Sequence, residues 1–243
     1  MPFDSVPLTK TQAAIAEGRP LFLSKVKSVS DGMLKTENVL KRGSDKSKLG
    51  KRIVKGKWNG FPIYALTLPE RSTCPNSCIH WSDCYGNNMF RATRYVADDY
   101  LIVRLHSELT ALQAKHPTGF AVRLHVLGDF FSADYVRNWE QWLEFFPALH
   151  VWGYTARHDA NDAITVALTH CRETHPTRWF IRQSGNASAV SSLQALSNDT
   201  DVGIDAIASG SGFICPEQTG RTDTCGSCGA CWASSKAVVF MTH

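Results

Sequence analysis

No stretch of this sequence approaches the ~18 consecutive apolar residues that a membrane-crossing helix requires, so no membrane partner is expected. The opening residues, MPFDSVPLTK, lack the charged-then-apolar order of an export signal. The chain is therefore expected in a reducing cytoplasm, where clustered thiols bind metal rather than pair as disulfides. It has no repeat of fixed period and no low-complexity tract, which sets aside solenoids and disordered linkers. Strong net charge is also missing: +4 over 243 residues is too little for a protein that simply coats nucleic acid.

What is present is a globular composition, 43% apolar with 10% aromatic residues, ample for a core. The length allows one large domain or two small ones. Charge is uneven, since Ser24 to Lys57 holds eleven Lys or Arg against three Asp or Glu. A solvated, mobile loop or hairpin accounts for such a run. Its functional alternative is a phosphate-contacting arm, which makes nucleic acid a possible partner through residues 24–57.

The periodicity from residue 59 onward alternates. FPIYALTLP reads as a strand, Asn88 to His116 as a helix with Leu101, Leu105, Leu109 and Leu112 on one stripe, and AVRLHVLGDF as a buried strand. SADYVRNWEQWLEFF comes next as a helix with Ser132 at its N-cap, then ALHVWGYTAR as strand, DANDAITVALTHCRE as helix and RWFIRQSG as strand. A short helix around AVSSLQALS and a strand around IDAIASG complete the series. Such alternation implies α/β architecture with a parallel sheet and crossover helices. Five strands suggest a partial, open parallel α/β barrel. The organisation expected is an irregular basic segment over 1–58, the partial barrel over 59–212, and a cysteine-rich, metal-bound cap over 213–243.

Seven of the eight cysteines fall in two groups. Cys215 stands nine residues before Cys225, and Cys225, Cys228 and Cys231 have two-residue intervals that contain Gly226 and Gly229, spacing that lets neighbouring sulfurs face one centre. Four thiolates close a tetrahedral zinc site or hold a 4Fe–4S cluster. Cys74, Cys78 and Cys84 form a group of three in CPNSCIHWSDCYG. Three ligands leave a coordination position open, as a reactive site requires. His80 inside the loop would close it as a structural zinc site, and Trp81 and Tyr85 would shield it. Cys171, alone on a helix, reads as core packing.

Gly128-Asp129 ends the second barrel strand. Ligands of α/β sheets bind outside the carboxyl ends of strands, so a carboxylate there suits a ligand amine, and the glycine allows close approach. Asp129 reads equally well as the cap of the next helix. Tyr154, Thr155, Arg157, Arg182, Gln183 and Ser184 end later strands and are expected on the same rim.

Strand, three-cysteine loop, helix and a strand ending in glycine and an acid resembles the opening of the radical S-adenosylmethionine barrel. The resemblance implies that Cys74, Cys78 and Cys84 hold a 4Fe–4S cluster whose free iron binds S-adenosylmethionine. Gly128 and Asp129 would stand at the cofactor's amine, with Tyr154, Arg182 and Ser184 on the cofactor rim. The C-terminal cysteines would hold an auxiliary 4Fe–4S cluster, with zinc the alternative at either group. The five-residue second interval of the loop is longer than the two usual in that superfamily. A likeness over residues 60 to 243 is to a phage and plasmid family named after a mycobacteriophage's gene product eighty-eight. It rests on TCPNSCIHWSDCYG, RLHVLGDFFSADYVRNW, VWGYTAR, CPEQTGRTDTCGSCGACW and VVFMTH. It implies a mobile-element origin, hence a host cytoplasm, and brings no assigned reaction or substrate.

Overall fold

The computed structural model describes residues 8–30, 37–185 and 193–241. A short helix, α1 (Lys10–Ala16), opens with a capping box between Thr9 and Gln12. Strand β1 (Val26–Lys27) pairs in parallel with β4 (Arg94–Tyr95). The main sheet contains β2 (Lys41–Arg42), β3 (Ile63–Ala65), β5 (Phe120–Leu124), β6 (Leu149–Thr155), β7 (Trp179–Ser184), β8 (Gln194–Ser197), β9 (Gly212–Ile214) and β10 (Ala237–Phe240). Its spatial order is β2-β3-β5-β6-β7-β8-β10-β9, and every pairing is parallel except β2 with β3. The sheet is open, with β2 and β9 at its edges. The chain is thus α/β with a mostly parallel sheet.

Helices α2 (Asp99–Lys115), α3 (Ala133–Phe145) and α4 (Ala163–Thr174) cross between successive strands. Each opens on a side-chain cap: Asp98 to the Leu101 N–H, Ser132 to that of Tyr135, and Asp162 to that of Ile164. Alternation along the strands divides their side chains between two cores. Val122, Leu124, Val151 and Ile181 pack under Leu105, Leu109, Trp139, Leu143 and Leu168 of the helices. Ala121 and Trp152 point the other way, toward Trp58, Cys215, Cys231 and Trp232. Cys171 lies fully buried in the helix-side core, as its isolation on a helix suggested.

Several elements differ from the sequence expectation. The helix expected from Asn88 begins only at Asp99, because Arg94 and Tyr95 are drawn into a strand and Asp98 caps the helix beyond them. The helix placed on AVSSLQALS is a strand where it is described: residues 186–192 lie outside the described residues, and Gln194–Ser197 joins the sheet beside β7. The strand placed on IDAIASG is helix α5 (Asp201–Ala208), because the Thr200 hydroxyl caps the Gly203 N–H and starts a helical turn. The last segment does not stand apart from the alternation. β10 enters the sheet between β8 and β9, and α6 (Cys225–Cys228) and α7 (Ala230–Ala233) lie just before it.

The basic segment is not a free loop over its described part. Ile53 and Trp58 are buried, and Gly43, Lys51 and Ile53 share backbone hydrogen bonds with Phe61 and Ile63. Its lysines and arginines reach solvent from a backbone that the sheet edge holds.

Candidate metal centres

The three-cysteine loop leaves the carboxyl end of β3 and is shaped by residues that flank the thiols. Arg94 and Glu70 are both fully buried and paired through two bonds, at 2.9 and 3.0 Å. The other Arg94 donors reach the carbonyls of Gly86, Met89 and Ala92, so all five N–H groups are used. Gly86 is required here, since a Cβ would lie 2.7 Å from the Glu70 carboxyl carbon. Arg71, also buried, has φ of 62°, a left-handed backbone that costs a residue with a Cβ about 1 kcal/mol or more. Its guanidinium offsets that cost by bonding the Trp81 and Arg19 carbonyls and Asn87 Oδ1. Trp81 docks on α1 through the Ile15 carbonyl, while Tyr85 is largely exposed.

Cys74, Cys78 and Cys84 are half-buried, and their charges act on one another and, for Cys74 and Cys78, with that of Asp129. Burial pushes all three thiols up, and at each sulfur a backbone N–H, of Arg71, His80 or Gly86, works in the opposite direction. Without metal these groups are neutral thiols at pH 7, so a metal must displace their protons to bind. The His80 ring is half exposed and faces Asp83 at 3.3 Å. A cleft of about 580 Å³ opens beside Cys74, between the end of α1 and Arg71, Ser72 and Asn76.

Gly128 and Asp129 close this site from the end of β5. Gly128 has φ of 80°, and a Cβ there would meet Thr73 Oγ1 at 2.6 Å, so the close approach it permits is to the cysteine loop itself. Asp129 is buried and does not cap α3, a role that Ser132 fills. Its Oδ1 accepts from the Phe130 N–H and the Thr155 hydroxyl, and its Oδ2 from the Ala156 N–H, each at 2.7 Å. Burial pushes its carboxyl up to about 6, against these bonds and the nearby Arg157 charge. Arg157 in turn donates to the Phe130 carbonyl and pairs with Asp162 at 3.3 Å. The Gln183 amide reaches the Arg157 carbonyl at 3.4 Å, so Asp129, Thr155, Arg157 and Gln183 share one end of the sheet.

Cys215 and Cys231 lie in the core on the opposite side of the sheet from the crossover helices. Cys215 and Cys231 are buried, and the charges of Cys215, Cys225 and Cys231 act on one another. Burial pushes Cys225 up to about 12. Tyr154 and Arg182, expected on the cofactor rim, serve this second group. The Tyr154 hydroxyl lies 2.8 Å from the Cys231 sulfur. Arg182 is fully buried and donates to the carbonyls of Cys231, Gln194, Lys236 and Ser234. Arg123 of β5 stacks on the Tyr154 ring at 4.4 Å, and its charge too is felt by Cys225 and Cys231. Neither arginine enters an ion pair with a carboxylate among the described residues. Ser184 ends β7 opposite Ala195 of β8.

The donor sets fit a thiophilic metal or cluster. Three thiols with backbone N–H partners make the first. Cys215, Cys225 and Cys231 beside the guanidinium groups of buried Arg182 and half-buried Arg123 make the second, with Cys228 half-buried on α6. Among the described residues no three His, Cys, Asp or Glu side chains already converge as a metal site. Sequence reasoning missed Glu70, Arg71, Thr73, Arg94 and Arg123. Only Arg123 carried a visible signal, a charge inside the apolar strand AVRLHV.

These features define an α/β protein with an open, mostly parallel sheet and two separate cysteine groups. The chain belongs to the Gene product 88 family, whose pattern matches residues 34–234 and so takes in both cysteine groups. No curated protein and no solved structure matches it.

Proposed function

We propose that the chain is an iron–sulfur protein of phage or plasmid origin and of radical S-adenosylmethionine type. Its sheet is read as a partial barrel, and its C-terminal cysteines as the ligands of an auxiliary 4Fe–4S cluster. The observation that carries the cluster reading is the pair of guanidinium groups, that of fully buried Arg182 and that of half-buried Arg123, beside Cys225 and Cys231. Buried charge requires a counter-charge. A 4Fe–4S cluster with four thiolates, or zinc with four thiolates, carries the double negative charge that would balance them.

At the first group Cys74, Cys78 and Cys84 would hold a cluster with one iron free of protein. The orientation of His80 toward Asp83 supports an open position rather than a fourth protein ligand. The cleft beside Cys74 offers access from solvent. When bound, the cluster and S-adenosylmethionine supply reductive cleavage of the cofactor and hydrogen abstraction from a substrate. The protein's part is to orient the loop through Arg71 and Arg94 and to hold Gly128 and Asp129 against it. Tyr154 and Arg182 belong to the auxiliary site in this reading, and Ser184 stays on the cofactor rim.

A second reading, a non-catalytic metalloprotein that acts as an accessory factor in the host cytoplasm, is favoured by one observation. The Asp129 carboxylate is engaged by three donors of its own chain, as a structural residue would be. Iron and acid-labile sulfide after anaerobic purification test the proposal. About eight irons are expected, falling to about four when Cys74, Cys78 and Cys84 are all replaced by Ser. Zinc at both groups with no iron would overturn the iron–sulfur reading.

A further inference from the structure

We infer that the sheet edge built by β2 and the segment up to Lys57 is a nucleic-acid interface that grips backbone phosphates, whatever the cysteines hold. Between Arg42 and Lys57 seven Lys or Arg accompany a single acid, Asp45. Lys48 is neutralised by Glu217 at 2.7 Å, and Lys41, just before the segment, by Glu37. Arg42, Lys46, Lys51, Arg52, Lys55 and Lys57 are exposed and enter none of the ion pairs among the described residues.

The backbone gathers these cations. Ile63 accepts the Gly43 N–H at 2.9 Å and donates its own N–H to the Lys51 carbonyl at 3.1 Å. Both ends of the intervening loop therefore meet one residue of β3. Gly43 and Gly50 cross so closely that a Cβ on Gly43 would lie 2.0 Å from the Gly50 carbonyl oxygen. Arg42 stands opposite Tyr64 and Arg52 opposite Pro62, which places the two guanidinium-bearing residues along the same short edge. The patch continues onto the end of α2. After burial, the charges of Lys115 and Arg42 depress the His116 imidazole, as expected where cations crowd without a carboxylate.

The edge is also held in place before any ligand arrives. The N–H groups of Cys225 and Gly226 donate to the Lys48 and Leu49 carbonyls, at 2.8 and 3.0 Å, and the Gly226 carbonyl accepts from Val54. A preorganised row of cations gives up less ordering entropy on binding than a floppy arm. Val54 is the one large apolar side chain well exposed between Arg42 and Lys57. A row of cations without an apolar wedge matches a track of phosphates better than a lipid surface, which takes both. The modest net charge of the whole chain makes this a local patch rather than a general attraction.

The test is fluorescence anisotropy of a short mixed-sequence DNA duplex with the full-length protein, titrated between about 50 and 200 mM salt. Engagement of about four phosphates gives a log–log salt slope of roughly −3.6 and an affinity loss of roughly 150-fold over that range. Arg42→Gln/Lys51→Gln/Arg52→Gln should shrink the slope by about three. Lys10→Gln/Arg137→Gln/Lys236→Gln removes the same charge elsewhere and should leave binding unchanged. All six side chains project from the surface or its margin, and melting curves of both variants check that the fold is kept. Equal losses in the two variants, binding without salt dependence, or tighter binding to phosphatidylserine vesicles than to the duplex would each overturn the inference. Metal content measured on the same samples separates this result from the fate of the iron–sulfur proposal.

Discussion

The Thr73 hydroxyl accepts the backbone N–H of Asp129 at 3.0 Å while donating to the Pro69 carbonyl at 2.8 Å. The residue before the first cysteine is thereby tied to the acid in the loop that follows β5. Because Asp129 also reaches Thr155 and Ala156, three consecutive ends of the parallel sheet are joined within one buried network. The geometry of the three-cysteine loop depends on that junction.

Replacing Asp129 by Ala leaves the Phe130 and Ala156 N–H groups and the Thr155 hydroxyl without their acceptor. A loss of ~3 kcal/mol or more is expected, since each unsatisfied buried group costs ~1–3 kcal/mol. Urea denaturation checks it. The pH dependence has a definite sign. The folded chain binds the Asp129 proton more tightly than the unfolded chain, about 6 against the ordinary 3.8. This group's contribution to stability therefore falls as pH rises from about 4 to about 6. The difference in stability between the wild type and Asp129→Asn should change across that window and be flat above pH 7.

Arg94→Met should destabilise the chain more than Glu70→Gln. Breaking a buried pair by removing one partner costs ~3–5 kcal/mol. Loss of Arg94 also strips the Gly86, Met89 and Ala92 carbonyls of their donor. Thermal melts of the two variants give the order, and equal losses would mean that the carbonyl bonds contribute nothing.

Trp232 stacks on Trp58 with ring centroids 5.4 Å apart and meets Trp152 edge-on at 4.9 Å. Trp232→Ala is expected to cost ~3–5 kcal/mol. It should loosen the basic segment together with the cysteine segment, because Trp58 ends the one and Trp232 lies in the other. Hydrogen exchange over residues 48–58 would show both effects, and protection unchanged there would contradict the coupling.

Cys225→Ala, or treatment with a strong chelator, should remove the C-terminal metal and lower the melting temperature. Metal bound to the folded state alone contributes its binding free energy to folding. It should also leave buried Arg182 and half-buried Arg123 without a counter-charge. If Arg182→Met stabilises the chelated protein while destabilising the loaded one, the charge-matching role is established.

Much of the fold was legible because the long elements follow their own periodicity. α3, β6, α4 and β7 fall where the apolar spacing and the Ser132 cap put them. The strand expected over AVRLHVLGDF, by contrast, stops at Leu124 and leaves Gly128 and Asp129 in the loop beyond it. The misplacements cluster where tertiary contacts overrode local pattern. Arg94 left a helix-like stretch for its bond to Glu70, and Ala237–Phe240 crossed back into the sheet from a segment dominated by cysteine and glycine. The two cysteine groups were legible from spacing. Their surroundings were not, since the roles of Glu70, Arg71 and Thr73 come from partners far along the chain that no local motif announces. Tyr154 and Arg182 show the same limit. Their position at the strand ends was readable, but the face that each presents was decided by the returning C-terminal segment.

The most direct test of the central claim, an open iron at Cys74, Cys78 and Cys84, is an electron paramagnetic resonance spectrum of the dithionite-reduced, anaerobically purified protein, recorded with and without S-adenosylmethionine. The result expected is a cluster signal that changes when the cofactor is added and no longer responds once the three cysteines are replaced by Ser. A cluster signal indifferent to the cofactor in the wild-type protein would contradict the claim.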